Sequence, residues 1–399
     1  MTTPAEAERL IGEHLACLPI ESLPLVQCAG AVLRENVYAE RDQPPFDRVA
    51  MDGIALDSSA VRSGPRSFRL QGMQAAGEPP LRLADRRQCI EVMTGAVLPE
   101  GCDIVVPIEQ VKLANGVAEI AAETRLEPWM SVHRRGTDCR QGAQLLASGT
   151  RLSAPGVAIA ASAGMSRIRV SSQPTIVVVS TGNELVEPGE PIQPHQVRRS
   201  NVFGVTAALR GRGFLRVADD HVPDDAATLR ARLKFHLDTH DVVILSGGVS
   251  MGRYDLVPQA LAELGVRQIF HRIEQRPGRP MWFGKSAAGP AVFALPGNPV
   301  STLVCLARYV APALHAAMGQ AAVTAEKIAL GSAVDVKVPL ASFMPVHIEG
   351  DEWARCWATP WPTNGSGDFT ALAGTDGFVE LPPGPATYPK GFVTRLYRW

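Results

Sequence analysis

The sequence predicts a multidomain α/β-plus-β protein, with a central doubly wound α/β domain, a β-rich second domain and a C-terminal β-barrel-like domain. Two observations carry this expectation. Within 174–320, three units repeat one grammar: an apolar strand, a loop rich in Gly or Ser, then a helix. Strands alternating with helices imply a parallel sheet covered on both faces. On either side, at 46–142 and from 323 onward, short apolar runs alternate with Pro and Gly turns, the pattern of small β domains. A chain of 399 residues also exceeds what one hydrophobic core usually fills.

The elements follow in order. Residues 4–19 place Ala7, Leu10, Ile11 and Leu15 at helical spacing, which predicts an amphipathic helix. A short strand-like stretch at 31–33 precedes Gln43-Pro44-Pro45. The β-rich domain, 45–142, is read from runs at 68–70, 88–93 and 104–107. The chain then returns to its first module at 145–147 and 152–170, ending in a helix over 155–163 and a strand. Residues 1–44 and 143–172 thus form one discontinuous N-terminal module. The α/β domain, 173–322, holds TIVVVSTGNEL (175–185) with its helix near 201–212, DVVILSGGVSMGRYD (241–255) followed by the helical LVPQALAEL, and AVFALPGNPVSTLVCLARYV (291–310). Residues 323–399 close the chain as a β domain.

Composition excludes several classes. Hydrophobic residues are 46% and charged residues 20%, which suits a globular protein rather than a disordered one. The net charge of -1 gives no global pull toward nucleic acid or a membrane surface, so any anion site must be built locally. Seven cysteines are widely spaced, with no C-x-x-C, which argues against a disulfide framework or thiolate zinc. The N-terminal segment lacks the charged-then-apolar form of a signal peptide. No uncharged apolar run approaches the ~20 residues of a membrane span. The expectation is a cytoplasmic protein, in a reducing compartment.

In open parallel sheets, ligands sit beyond the carboxyl ends of the strands, where all three loops fall. The first offers Ser180, Thr181, Gly182, Asn183 and Glu184; the second Ser246, Gly247, Gly248 and Ser250, followed by Asp255; the third Pro296, Gly297, Asn298 and Ser301. Glycines let backbone N–H groups point inward, and the following helix adds its positive end. Taken singly, Asn298 and Pro299 would be a helix cap and first helical residue. Repetition at three strand ends shifts the reading toward a phosphate-bearing ligand. Arg272 and the turn Arg276-Pro277-Gly278-Arg279-Pro280 would otherwise be a solvated basic loop, but arginine suits bidentate contact with oxyanions. Asp224 and Asp225 precede a helical run, so one of them is a candidate cap. Carboxylates beside a phosphate loop also suit Mg²⁺, with Glu184, Asp224 and Asp255 as candidate ligands. Other patterns fail: Gly284-Lys285-Ser286 lacks the glycine that a P-loop needs at 279, and His236 and His240 lack a third zinc ligand.

With these loops in view, the chain resembles the molybdopterin molybdenumtransferase family (MoeA, and the homologous C-terminal domain of gephyrin) over nearly its whole length. The markers are PPFDRVAMDG (44–53), MTGAVLPEGCDIVV (93–106), RRGTDCRQGAQLLASGTRL (134–152), STGNEL (180–185), LSGGVSMGRYD (245–255), RPGRP (276–280) and LPGNPVST (295–302). The resemblance implies an elongated chain of four domains that dimerises. Its central domain would be molybdopterin-binding and adenylyltransferase-like, with an active cleft shared with the second domain of the partner subunit. Adenylylated molybdopterin and molybdate would be substrates, and AMP would be released with Mg²⁺. An adenylyltransferase partner and molybdoenzyme acceptors are also implied.

Carried over by motif, Asp52 and Thr94 would line the cleft from the partner's side. Glu184 and Asp255 would act in the α/β domain, Asp224 would lie near metal and phosphates, and Ser366 in NGSGD (364–368) near the oxyanion. The chain departs from the family pattern at Arg48, Val49, Ile54 and Asn183, has arginines for the lysines of the basic turn, and has Pro345 or His347 where a C-terminal arginine is expected. The alternatives are an adenylyltransferase acting one step earlier and a non-enzymatic molybdopterin-binding scaffold.

Overall fold

The computed structural model describes residues 1–399 except 62–63, 249–255 and 288. Its centre is a six-stranded sheet in the order Val217–Val222, Ile176–Thr181, Val242–Ser246, Ala291–Leu295, Trp282–Ser286, Val266–His271. The first four strands are parallel, as the alternating grammar predicts, whereas Trp282–Ser286 runs antiparallel to both its neighbours, Ala291–Leu295 and Val266–His271. The difference lies in the connections. The 266–286 segment doubles back through the Pro-rich basic turn, and a chain that returns without a crossover helix pairs antiparallel. Buried residues pack both faces. Val178, Ile244 and Phe293 lie on one side with Val205 and Leu209, and Val177, Val243 and Val292 on the other with Leu229 and Leu233.

The first helix, Pro4–His14, starts at an N-cap, where the Thr3 hydroxyl accepts from the Glu6 amide at 3.2 Å. It stops short of residue 19, and the chain continues as the strand Ile20–Pro24. Its apolar stripe, Ala7 and Ile11, is buried in the core of the central domain with Leu314. The helix therefore packs against the central domain. Ile20–Pro24 pairs with Arg167–Ser171 and Val37–Tyr38 with Gln144–Leu146. The strand-like stretch at 31–33 makes only isolated bridges, to Arg151 and Val170.

The second domain is a six-stranded mixed sheet built on Gly53–Leu56, Gln88–Val92 and Ser67–Gln74. The C-terminal domain is a closed β-barrel. Ala341–Gly350 pairs with both Cys356–Pro360 and Gly377–Leu381, and Lys327–Leu330 and Val393–Arg398 complete the ring. Gln275–Arg276 adds to this barrel in parallel with Ala341–Ser342, which fastens the basic turn of the central domain to the C-terminal wall. The helical run Pro299–Ala317 is long and apolar enough to cross a membrane, but 67% of it is buried inside the protein.

Candidate active site

One cleft of about 1590 Å³ lies where the carboxyl ends of the central strands face the barrel. Its central-domain side is lined by Thr181, Gly182, Glu184, Asp224, Gly247, Gly248, Pro296, Gly297, Asn298 and Ser301, with Arg276 and Arg279 of the basic turn. Lys337, Met344, Pro345, Trp361 and Ser366 line the barrel side.

Local sequence explains how these groups are held. Asp225, not Asp224, caps the helix Ala226–Thr239: its carboxylate accepts from the Thr228 amide at 2.8 Å. That leaves Asp224 at the cleft, where its side chain accepts from the Asn183 amide at 3.3 Å and Asn183 Oδ1 accepts from the Asp224 amide at 3.0 Å. The reciprocal pair ties the first loop to the end of the edge strand. Gly182, at φ 141°, lets the Glu184 carboxylate fold back over the backbone, because a Cβ there would lie 2.5 Å from Glu184 Oε2. Asn298 occupies the N-cap position before Pro299, but its side chain makes no capping bond. Its amide donates instead to Ser366 Oγ at 2.7 Å, and the Val300 amide donates to the Ser366 carbonyl at 3.2 Å. The third loop is thereby joined to the barrel.

Electrostatically, the cleft is lined by three cations, Arg276, Arg279 and Lys337, and three carboxylates, Glu184, Asp224 and Asp335. Arg276, Arg279 and Lys337 take part in no ion pair among the described residues, whereas Asp335, on the same wall, accepts from Thr387 Oγ1 at 2.6 Å. Unpaired cations in a concave, partly desolvated region concentrate anions. The Thr181 hydroxyl is buried at the edge of the same cleft and makes no hydrogen bond among the described residues. It is a donor that a ligand oxygen could satisfy.

Several residues singled out by sequence stand elsewhere. Ser180 and Ser246 lie beneath the cleft. Ser180 Oγ accepts from Arg199 Nε at 2.6 Å, and Ser246 Oγ from Asn201 Nδ2 at 2.9 Å. Both sit on inward-facing strand positions, so they brace the loops rather than line them. Arg272, at φ 73°, is engaged through its backbone, accepting from the Thr2 amide at 3.2 Å and donating to Met281 at 2.9 Å. It is not among the cleft residues. Ser250 and Asp255 lie outside the described residues. Asp52 and Thr94 lie in the second domain, outside this chain's cleft. There the Thr94 amide and hydroxyl both donate to Asp52 Oδ1, at 2.6 and 2.7 Å. The Thr94 hydroxyl, then its amide, hold the Asp52 carboxyl below its ordinary range.

Sequence reading missed Asn201, Arg199, Lys337 and Trp361. Asn201 Nδ2 reaches Ser246 Oγ, the Gly297 carbonyl at 2.7 Å and Thr302 Oγ1 at 3.4 Å, so one amide fastens the second loop to the third. Its only signal was a polar pair, Ser200-Asn201, at the start of a helix, which reads as ordinary capping. Arg199 is buried and bonds Ser180, Glu187 and Asp219 Oδ2, the last at 2.7 Å. No local pattern marked Lys337 or Trp361.

The donor set bears on a metal. Glu184 and Asp224 are hard oxygen donors in one cleft, and among the described residues no cysteine or histidine lines it. No group of three His, Cys, Asp or Glu side chains able to hold a metal occurs among the described residues. Two carboxylates without a full protein cage suit Mg²⁺, which usually completes its shell with water and substrate phosphates.

Comparison with known proteins agrees along the whole length. Residues 2–164 match the MoeA N-terminal region (domain I and II), 177–316 a probable molybdopterin binding domain, and 327–395 the MoeA C-terminal region (domain IV). The molybdopterin molybdenumtransferase of a Synechocystis strain is 38% identical over 405 residues, covering 100% of both chains. This chain belongs to the molybdopterin molybdenumtransferase family. A Bacillus subtilis member is 28% identical over 91% of this chain and 86% of its own. The solved molybdopterin biosynthesis MoeA protein from Pyrococcus horikosii superposes with a TM-score of 0.80 at 28% identity, over 100% of this chain and 99% of that one. The fold is therefore shared with that solved protein over the whole of this chain.

Proposed function

We propose that this chain is the enzyme that inserts molybdenum into molybdopterin, working as a cytoplasmic homodimer on adenylylated molybdopterin and molybdate and releasing AMP with the help of Mg²⁺. The reading is supported most by one observation. Phosphate-type loops, three unpaired cations and the Ser366 loop of the barrel converge on a single cleft large enough for a dinucleotide-sized ligand together with an oxyanion.

The reaction must gather a diphosphate, a dithiolate and a molybdate dianion. Close like charges in a cleft of low effective dielectric repel by about several kcal/mol per pair. Arg276, Arg279 and Lys337 offset that repulsion, and Thr181 and the glycine loops supply N–H and O–H donors to phosphate oxygens. Glu184 and Asp224 would hold Mg²⁺, which supplies charge neutralisation at the phosphoanhydride when bound. Asp224 is kept in place by Asn183, and Gly182 leaves room for the Glu184 carboxylate. A water oxygen attacks the adenylate phosphorus, the bridging P–O bond breaks, molybdopterin leaves with its phosphate, AMP forms carrying the water's oxygen, and the proton passes to solvent. Asp52 and Thr94 of a partner subunit would complete the cleft. An adenylyltransferase would supply the substrate, and molybdoenzymes would accept the product.

The test is AMP release by the purified protein from adenylylated molybdopterin, with and without molybdate and Mg²⁺, alongside a control of ATP plus free molybdopterin. Release that depends on molybdate supports the reading. Formation of adenylylated molybdopterin in the control, without molybdate-dependent release, assigns the preceding step instead.

A further inference from the structure

The basic turn is held from below by a buried amide. Gln275 is fully buried, and both ends of its side chain are in use. Its nitrogen donates to the Pro277 carbonyl at 3.0 Å and approaches Cys305 Sγ at 3.7 Å. Its oxygen accepts from the Tyr309 hydroxyl. The Cys305 thiol donates in turn to the Gly278 carbonyl at 3.7 Å. Both central carbonyls of the turn are therefore bonded to buried side chains, while Arg276 and Arg279 on its flanks line the cleft. The fit is tight: Gly278 has φ 91°, and a Cβ there would meet Gln275 Nε2 at 2.5 Å and Cys305 Sγ at 2.7 Å.

Cys305 and Tyr309 belong to the helical run that begins at Pro299, directly after the 296–298 loop. One stiff element thus presents an anion-binding loop at its end and clasps the arginine turn along its side. A guanidinium on a free turn would have to be ordered anew for each oxyanion, whereas one on a fixed turn is already in place.

We propose that Gln275 is a positioning residue for oxyanion capture, holding the Arg276–Arg279 turn at a fixed spacing from the 296–298 loop through Tyr309 and Cys305. This rests on the function proposed above and deepens it.

The test is a double-mutant cycle on molybdate-dependent AMP release. Gln275→Leu raises the KM for molybdate roughly tenfold and leaves kcat at saturating molybdate nearly unchanged. In an Arg276→Ala/Arg279→Ala background the same substitution has little further effect on kcat/KM, because the groups it positions are gone. Tyr309→Phe, which keeps the ring and removes the hydroxyl, gives a smaller rise in KM with the same coupling, and carries the test if Gln275→Leu fails to fold. Equal losses with and without the arginines, or a fall in kcat at unchanged KM, overturns the inference. Wild-type protein that shows no molybdate-dependent turnover defeats the proposed function instead.

Discussion

The strand-end cleft and the Asp52–Thr94 pair are built on opposite principles. In the cleft, loops are fastened to one another across the fold: Asn183 with Asp224, Asn201 with the second and third loops, and Asn298 with Ser366 of the barrel. The Asp52 carboxylate is held, among the described residues, by Thr94, and its carbonyl accepts from the Ile108 amide at 2.9 Å. The first arrangement can preorganise charge within one chain. The second holds an ionised carboxylate ready on an exposed surface, with nothing else of this chain's proposed chemistry beside it. On the function proposed above, the cleft is preorganised within one protomer, and the Asp52–Thr94 pair is the part that a second copy would supply to it.

The largest effect expected is on the cleft's cations. Arg276→Ala/Arg279→Ala removes two charged donors, each worth about 1.5–3 kcal/mol to a bound anion, and the KM for molybdate should rise about a hundredfold or more. Steady-state AMP release against molybdate concentration measures it, and an unchanged KM would remove the turn from oxyanion binding.

Next is complementation between the two regions. Asp52→Asn protein mixed with the double arginine variant, after subunit exchange, should recover about a quarter of wild-type activity, because half of randomly mixed two-fold dimers carry one intact composite site. No recovery would place both regions' contributions within one chain and break the contrast.

Asn201→Ala strips the donor that joins the second and third loops. The loss of hydrogen bonds by partly buried groups costs about 1–3 kcal/mol, and kcat/KM for the adenylylated substrate should fall about tenfold, with a modest drop in thermal midpoint.

The smallest effect is at Thr94. The Asp52 carboxyl is depressed by Thr94, so its charge persists to lower pH than an unbonded aspartate's and is lost only as pH falls through that depressed value. Thr94→Val removes the hydroxyl donor. The acid limb of the pH–rate profile should then move upward, toward the ordinary aspartate range, with the rate at neutral pH little changed.

Much of the fold was legible because periodicity reports burial. The apolar runs 176–181, 242–246 and 291–295 are buried throughout, and the turn-punctuated flanks form a mixed sheet and a barrel. What eluded the sequence depends on long-range packing. The pattern of Ala7 and Ile11 shows a buried face but not which domain buries it, and nothing local reveals that 266–286 returns antiparallel. The site divides in the same way. Loops at strand ends announce themselves by Gly, Ser and Pro, yet the roles of Ser180 and Ser246 turn on strand parity and on Arg199 and Asn201, far along the chain. Lys337 and Trp361 reach the cleft only because the barrel closes and docks beside the basic turn.

The central claim is that the cleft between the central strand ends and the barrel is where the oxyanion is captured. The most direct measurement is a crystal structure with tungstate, a tetrahedral dianion like molybdate, located by its anomalous scattering. The account predicts a peak in contact with the Arg276–Arg279 turn and within reach of Asn298 and Ser366. A fully occupied tungstate elsewhere, with that cleft empty under the same conditions, would contradict it.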